Sequence, residues 1–284
     1  MPSASRLGLL YVGVAVFFFS TSALFIRWAG ALTSYEITFW RLAIAAAALG
    51  LAMILRRERW MLPRQQWGRF AGFGLVAALH FVLYAAAIGF TTIAHALSIV
   101  YTAPIFVAIF SAVFLHESLA RRQWLGVLAA VVGVAVLAGF QPEMTGEMLI
   151  GDLLALGSAI TYGLYSVIGR AQRHQTSLLT YAFSVYAVAA LWTATPAALA
   201  FTPGGYTSAS ILSLLALGLL PLALGHTLYN AALRHTNATY ANIIAMLEVA
   251  GAILLGALLL GEIPTANEII GALITLAGVL IVLI

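Results

Sequence analysis

Ten apolar stretches occupy almost the whole chain, at about 7–28, 35–55, 67–89, 93–115, 122–140, 149–170, 177–200, 208–232, 237–260 and 266–284. A helix of about 20 apolar residues crosses the roughly 30 Å of hydrocarbon in a bilayer, and each stretch is close to that length. Lipid offers backbone groups no hydrogen-bond partner, so such segments must be helices, and the alternating pattern of a barrel strand is missing. Composition agrees: of 284 residues 63% are hydrophobic and 8% charged, where a soluble domain carries about 25% charge. The chain is predicted to be all-α, a polytopic integral membrane protein of ten transmembrane helices. Connections of mostly under a dozen residues leave no room for a soluble domain. The first stretch follows Arg6 and outruns a signal-peptide core, so it is read as a retained helix, with a cleaved signal as the alternative.

Positive charge sets the orientation. All thirteen basic residues are arginine, and with the N-terminus inside eleven fall on inner segments: Arg6; Arg56, Arg57, Arg59, Arg64 and Arg69; Arg121 and Arg122; Arg170 and Arg173; Arg234. Arg27 and Arg41 are placed near the outer face, paired with Glu36 or with lipid headgroups, the other reading being that they hold a carboxylate at the outer mouth. This topological placement argues against nucleic acid as a partner, despite a pI near 9.6. An even number of spans returns the C-terminus to the cytoplasmic side. There is no cysteine, which excludes disulfides and thiolate metal sites.

Two segments repeat. "FLHESLARRQWLG" (114–126) and "LLGEIPTANEIIG" (259–271) share a glutamate and, nine residues on, a glycine. Sliding the chain by 145 residues aligns 80–139 with 225–284 without a gap and gives fourteen identities, among them Tyr84 with Tyr229, Thr91 with Thr236, Glu117 with Glu262, Gly126 with Gly271 and Gly133 with Gly278. Gly8 with Gly151, and Arg27 with Arg170, extend the match upstream at an offset of 143. The chain thus divides into 1–143 and 144–284, five helices each. Because five is odd, the second unit enters the bilayer inverted. Its copy of the turn is external, which explains why Arg121 and Arg122 become Ala266 and Asn267, and there Pro264 and the Thr265–Glu268 spacing read as a capping box. An inverted repeat with short loops is the signature of a secondary transporter with its substrate site between the halves.

The strings "HFVLYAAAIGFTTIAHALSIVYTAPIFVAIFSAVFLHESL" (80–119) and "NATYANIIAMLEVAGAILLGALLLGEIP" (237–264) resemble the two EamA repeats of the drug/metabolite transporter superfamily. In overall character the chain looks most like YddG-type exporters of aromatic and other neutral amino acids. The resemblance implies an inner-membrane exporter or facilitator working by alternating access, without a cofactor. Where the family commonly reads Glu-Pro in the ninth helix, this chain has Glu248-Val249, while Pro104 is kept in the first half. A helix break at the site is therefore expected on one side only.

Ionisable groups inside a membrane are costly and point to function. The candidates are Glu248, His80, His226 and, less deeply, His95. Glu248 shares a face with Ala241, Ala245 and Ala252 and reads as an acceptor for an ammonium group or as a proton-coupling site; a protonated carboxyl bonded to backbone is the other reading. His80 with Tyr84, and His226 with Tyr229 and Asn230, share helix faces at i, i+3 and i+4. As repeat counterparts, Tyr84 and Tyr229 are expected to face one cavity from opposite halves, and tyrosines at that depth can stack on a planar substrate. Tyr162, Tyr165 and Ser158 form a similar stripe, and Tyr101 and Ser98 a further pair. Phe17, Phe18 and Phe19 read as lipid-facing or packing residues rather than as substrate contacts.

With no lysine and no arginine placed at mid-membrane, phosphorylated cargo is disfavoured. A neutral or zwitterionic small molecule remains, with amino acids the best fit; cationic drugs or amines, or other metabolites of the same superfamily, are the alternative. Proton exchange through His80, His226 or Glu248 and passive facilitation both stay open. A channel is a distant alternative. An intramembrane enzyme is another, and only Ser98 with His95 offers even a lone nucleophile–base pair, with no metal-spaced histidines. No nucleotide-binding loop is present. The expected partners are a small-molecule substrate and the lipid bilayer, with the protein a monomer.

Overall fold

The computed structural model describes residues 5–91, 93–139, 145–260 and 265–284; among them every regular element is a helix, with no strand. Glu143, Glu262 and Pro264, and the side chains of His95 and Glu268, lie outside the described residues. The elements are α1 (Arg6–Phe19), α2 (Ser22–Trp28), α3 (Ser34–Leu55), α4 (Trp67–Phe90), α5 (Ile93–Val100), α6 (Ala103–Phe114), α7 (Arg121–Ala138), α8 (Gly146–Ala171), α9 (Leu178–Leu199), α10 (Ser208–Leu217), a π-helical segment Gly218–His226, α11 (Thr227–His235), α12 (Ala238–Ala245), α13 (Leu247–Leu260) and α14 (Ala266–Leu283).

Among the described residues, seven helical runs are long and apolar enough to cross a bilayer: Arg6–Trp28, Ser34–Leu55, Arg64–Phe90, Ala96–Phe114, Gly146–Ala171, Leu178–Leu199 and Ser208–His235. Ala238–Ala252 and Ile269–Leu283 are shorter apolar helices. Large apolar side chains such as Leu10, Phe17, Ile54, Leu191 and Leu258 point outward, the surface that a hydrocarbon solvent demands. Trp28, Trp60 and Trp67 are exposed near helix ends, as interfacial anchors are. Hydroxyls and an amide fix where several helices start: Ser5, Thr33, Thr145, Ser177, Thr207 and Asn237 each accept a backbone N–H of the first turn.

Three spans are interrupted near mid-length. After α1, Ser20 donates to the Val16 carbonyl at 2.8 Å and across to the Glu248 carbonyl at 3.2 Å, while Thr21 turns back to the Phe18 carbonyl. Hydroxyls that return to the preceding turn compete with the helical ladder and bend it. Between α5 and α6 the helix stops at Tyr101 and Thr102, just before Pro104. Between α12 and α13 it stops at Met246, the repeat counterpart of Tyr101. The one-sided break expected from Val249 is thus corrected: the second half breaks at the same position without proline. There the close approach of α1 does the work, since a Cβ on Gly251 would lie 2.1 Å from the Ser20 hydroxyl. Pro221 sits inside the π-helical segment, whose wider turns absorb the missing donor and carry His226 inward.

The tightest helix pair is α7 with α14. A Cβ on Gly133 would lie 2.4 Å from the Thr275 nitrogen, and one on Gly271 2.3 Å from the Leu137 nitrogen; Gly126 and Gly278 meet in the same way. Backbones approach this closely only where side chains are missing. Gly126 touches Gly278 and Gly133 touches Gly271, so the two helices run antiparallel. Elsewhere Gly8 packs on Thr236, and Gly151 on Thr91 and Phe90.

Two polar clamps tie the ends of the bundle. At the start of α3, Glu36 accepts from the Thr33 nitrogen (2.9 Å) and hydroxyl (2.8 Å), from the Thr202 nitrogen (2.9 Å) and hydroxyl (2.7 Å), and from the Tyr206 hydroxyl (3.0 Å). At the opposite end Arg170 of α8 pairs with Glu117 through Nε at 3.1 Å and Nη2 at 3.0 Å, and its Nη1 donates to the Leu233 carbonyl at 3.0 Å. The two ends are separated by α8 itself, roughly 38 Å at 1.5 Å per residue.

Candidate functional site

A cavity of about 30 Å³ lies between the interrupted helices. Its walls come from both repeats: Phe19, Ser22, Arg41, His80, Phe81, Tyr84, Leu97, Val100 and Tyr101 from the first, and Tyr162, His226 and Glu248 from the second. That volume holds about one or two waters, well below the roughly 300 Å³ or more of a small-molecule pocket, so a substrate enters only if the helices part. A second cavity, of about 370 Å³, is bounded by Ile26, Arg27 and Gly30 beyond α1, by Leu32, Ser34 and Ile37, and by Ala85, Ala86, Ile88, Gly89 and Phe90 at the end of α4. It lies at the end remote from the Arg170–Glu117 pair.

Glu248, 8% exposed, begins α13 at the break and accepts a hydrogen bond from the Tyr101 hydroxyl, which the matching break between α5 and α6 aims at it. The two interruptions thus meet in one contact. His80 is fixed by Ser158: its Nδ1 lies 3.1 Å from the Ser158 carbonyl and 3.0 Å from the Ser158 hydroxyl, and that hydroxyl also donates to the His80 carbonyl. Its ring stacks on Tyr162 at 4.8 Å and lies 6.4 Å from Tyr84. His226 meets Phe19 at 4.5 Å and Phe81 at 4.9 Å, and its Nδ1 has no hydrogen-bond partner. The result is an aromatic box with one carboxylate at its edge.

Of the sequence candidates, His80, Tyr84, Tyr101, Tyr162, His226 and Glu248 line this cavity. Tyr165, Tyr229 and Asn230 are buried behind it, with the Tyr229 ring 5.7 Å from that of Tyr162 on the wall. Asn230 donates to the Tyr165 hydroxyl at 2.6 Å; Tyr229 shares a hydrogen bond with Ser166 at 2.8 Å and accepts one from Asn242 at 3.3 Å. Tyr84 and Tyr229, though counterparts, are therefore not both on the cavity wall. Ser98 is part-buried on α5, away from the lining. Among the described residues no group of three or more metal-ligating side chains occurs.

Arg41 is the residue whose placement differs most from expectation. It does not pair with Glu36, whose oxygens are taken by Thr33, Thr202 and Tyr206. Instead it is 1% exposed and lines the cavity, with its guanidinium 4.6 Å from the centroid of the Phe81 ring. A single arginine thus stands at cavity depth, where none was expected. Its location seven residues into an apolar run was the available signal. Phe19 likewise turns inward while Phe17 remains 62% exposed, so the phenylalanine triplet splits between cavity and lipid.

The sequence profile of the EamA-like transporter family matches the chain twice, over residues 6–139 and 149–284. An uncharacterized transporter, YdfC, of Bacillus subtilis is 29% identical, over 87% of this chain and 81% of its own length. The pseudopaline exporter CntI of Pseudomonas aeruginosa is also 29% identical, over 97% of this chain and 93% of its own. One solved crystal structure shares the fold with a TM-score of 0.81 at 23% identity, covering 99% of this chain and 98% of that one.

Proposed function

We propose, on the premise that the chain belongs to the EamA-like transporter family, that it is a secondary transporter exporting small zwitterionic metabolites, aromatic and other neutral amino acids foremost. It works by alternating access between two inverted five-helix halves, 1–143 and 144–284, in a bacterial-type inner membrane with both termini cytoplasmic. The observation that carries this reading is the buried cavity between the halves. Its walls are rings of Phe19, His80, Phe81, Tyr84 and Tyr162, and one carboxylate, Glu248, stands among them.

Each part of the cavity suits a part of the solute. Aromatic faces accept a planar or branched apolar side chain, and Glu248, with the Tyr101 hydroxyl beside it, accepts an ammonium group. Inverted threading is supported by the contacts of the repeat. Gly126 meets the counterpart of Gly133, and Gly133 meets the counterpart of Gly126; Gly8 meets the counterpart of Thr91, and Gly151 meets Thr91. Such exchanged contacts are what a two-fold axis in the membrane plane generates. The family profile, matching once per half, agrees. With that threading the Arg170–Glu117 clamp lies on the cytoplasmic side and the larger cavity on the other.

The test is transport in proteoliposomes of the purified protein, over a panel of amino acids, amines and sugar phosphates, with and without a pH gradient. Saturable counter-flow of neutral amino acids is expected, and Glu248→Gln should cut it by at least about tenfold while leaving yield and thermal stability close to wild type. Flux that neither saturates nor shows counter-flow would indicate a channel, and flux by Glu248→Gln equal to wild type would remove Glu248 from the site.

A further inference from the structure

The buried guanidinium of Arg41 has no protein partner that accounts for it. Both oxygens of Glu36 are committed to Thr33, Thr202 and Tyr206, and Glu248 is engaged by Tyr101. Arg41 and Glu248 line the same cavity without a direct ion pair; among the described residues, ion pairing within contact distance is that of Arg170 with Glu117. The Phe81 ring covers one face of the guanidinium, a favourable cation–π contact that does not engage the in-plane donors. Of those donors Nε and Nη1 have no hydrogen-bond partner. A charged group buried with unspent donors is among the most costly arrangements in a membrane-spanning bundle. Packing alone does not explain it, because a neutral side chain would fill the same space without that cost.

We propose that Arg41 binds the carboxylate of the transported solute and thereby sets its class: the cargo carries a free carboxylate. This rests on the transport reading given above and names the end of the solute that Glu248 cannot hold. A guanidinium is planar and presents fixed in-plane donors, which suits a carboxylate. Glu248 on the same cavity separates the possible cargoes. A solute with a carboxylate toward Arg41 and an ammonium toward Glu248 leaves each wall charge opposed. A simple amine would leave Arg41 facing a second cation, and a phosphate dianion would bring two negative charges up to Glu248. Amino acids and other solutes that pair one amine with one carboxylate satisfy both walls.

The experiment uses three matched series, built on phenylalanine, leucine and histidine, each as the free acid, the carboxamide and the decarboxylated amine. Binding to the purified wild-type protein is read as ligand-induced thermal stabilisation, and transport as counter-flow in proteoliposomes. In at least one series the free acid should bind on the order of 100-fold more tightly than its amide and amine, because a site built around a donor array leaves it unpaired with either analogue. Arg41→Gln should erase that preference and Arg41→Lys should restore part of it. The ligand-side comparison in wild type needs no variant to fold. If no free acid is preferred over its amide in any series, whether both bind or neither does, the role of Arg41 falls. A wild-type protein without that preference but with counter-flow intact, or an Arg41→Gln variant that keeps the preference, removes Arg41 alone, whereas absence of counter-flow for every compound removes the transport reading.

Discussion

The rings of Phe81 and His226 meet edge to face with centroids 4.9 Å apart, and the two residues are separated by 145 positions, the period of the internal repeat. Counterparts that touch each other lie on the axis relating the halves. Ala130 and Thr275 do the same at the α7–α14 interface, where the Thr275 hydroxyl lies 3.5 Å from the Ala130 carbonyl. Under the inverted arrangement proposed above, one line passes through the aromatic cavity and through the glycine seam, and a small relative rotation of the halves would change both ends of the cavity. In the reading proposed above, that rotation is the transport cycle, and the seam is its bearing.

The seam should tolerate no added carbon. Gly133→Ala and Gly271→Ala each place a methyl group against backbone, at 2.4 Å from the Thr275 nitrogen and 2.3 Å from the Leu137 nitrogen. Each is expected to destabilise by about 1–3 kcal/mol, as over-packing does. Gly72→Ala, with open space around its Cβ, should be neutral or stabilise by up to about 1 kcal/mol, because alanine is the better helix former. Thermal unfolding in detergent, with the three variants side by side, checks the contrast.

Tyr84 and Tyr229 should part company when mutated, although the repeat makes them equivalent. Tyr84 is on the cavity wall, so Tyr84→Ala should raise the KM for an aromatic solute several-fold. Tyr229 serves Ser166 and Asn242 outside the lining. Tyr229→Phe removes both bonds, leaving the Asn242 amide short of a partner while Ser166 keeps the Tyr162 carbonyl, and should cost about 1–3 kcal/mol of stability with KM unchanged. Transport kinetics and thermal melts on the same preparations separate the two effects.

Glu36 accepts five bonds, two that cap its own helix from Thr33 and three that hold Thr202 and Tyr206, before α10, onto α3. Glu36→Gln converts one acceptor oxygen into a donor that faces donors, and should lower stability by about 2–3 kcal/mol. Hydrogen exchange is the sharper reading. Amides around Thr202 should exchange faster in the variant, while those of α7 and α14, far from the clamp, keep wild-type protection.

Much of this architecture was legible in the sequence, because lipid permits little else: a run such as 35–55 must be a helix, and the spacing of Glu117 to Gly126 and Glu262 to Gly271 exposed the repeat. The direction in which a side chain points was less legible. Arg41 lies only seven residues into its span, roughly 10 Å from the end, a depth from which an arginine can reach the interface or the interior. The outcome was decided by Thr202 and Tyr206, which lie 166 and 170 positions beyond Glu36 and occupy its oxygens. The break at Met246 was hidden for a similar reason. It is imposed by Ser20 of another helix, not by a proline in its own. Tyr229 was misdirected by symmetry, since equal positions in a repeat face equal surroundings only where the two halves carry the same neighbours.

The Arg170–Glu117 clamp should govern access from its end of the bundle. Both groups are largely buried, and Arg170 also holds the Leu233 carbonyl, so the clamp links α8, the end of α6 and α11. Removing one partner leaves the other charge buried without compensation, which weakens the closed arrangement more than an open one, where water reaches the survivor. The natural chain has no cysteine, so a single Val100→Cys on the cavity wall reports accessibility directly. In proteoliposomes, Glu117→Gln in that background should raise labelling by an impermeant thiol reagent applied from the clamp side by roughly tenfold, and lower it from the other side. Cysteines at Arg122 and Asn267, matched positions in the two copies of the turn, fix which side is which: under inverted threading they label from opposite faces. If both label from one face, the halves are not inverted, and the clamp has no outward counterpart to alternate with.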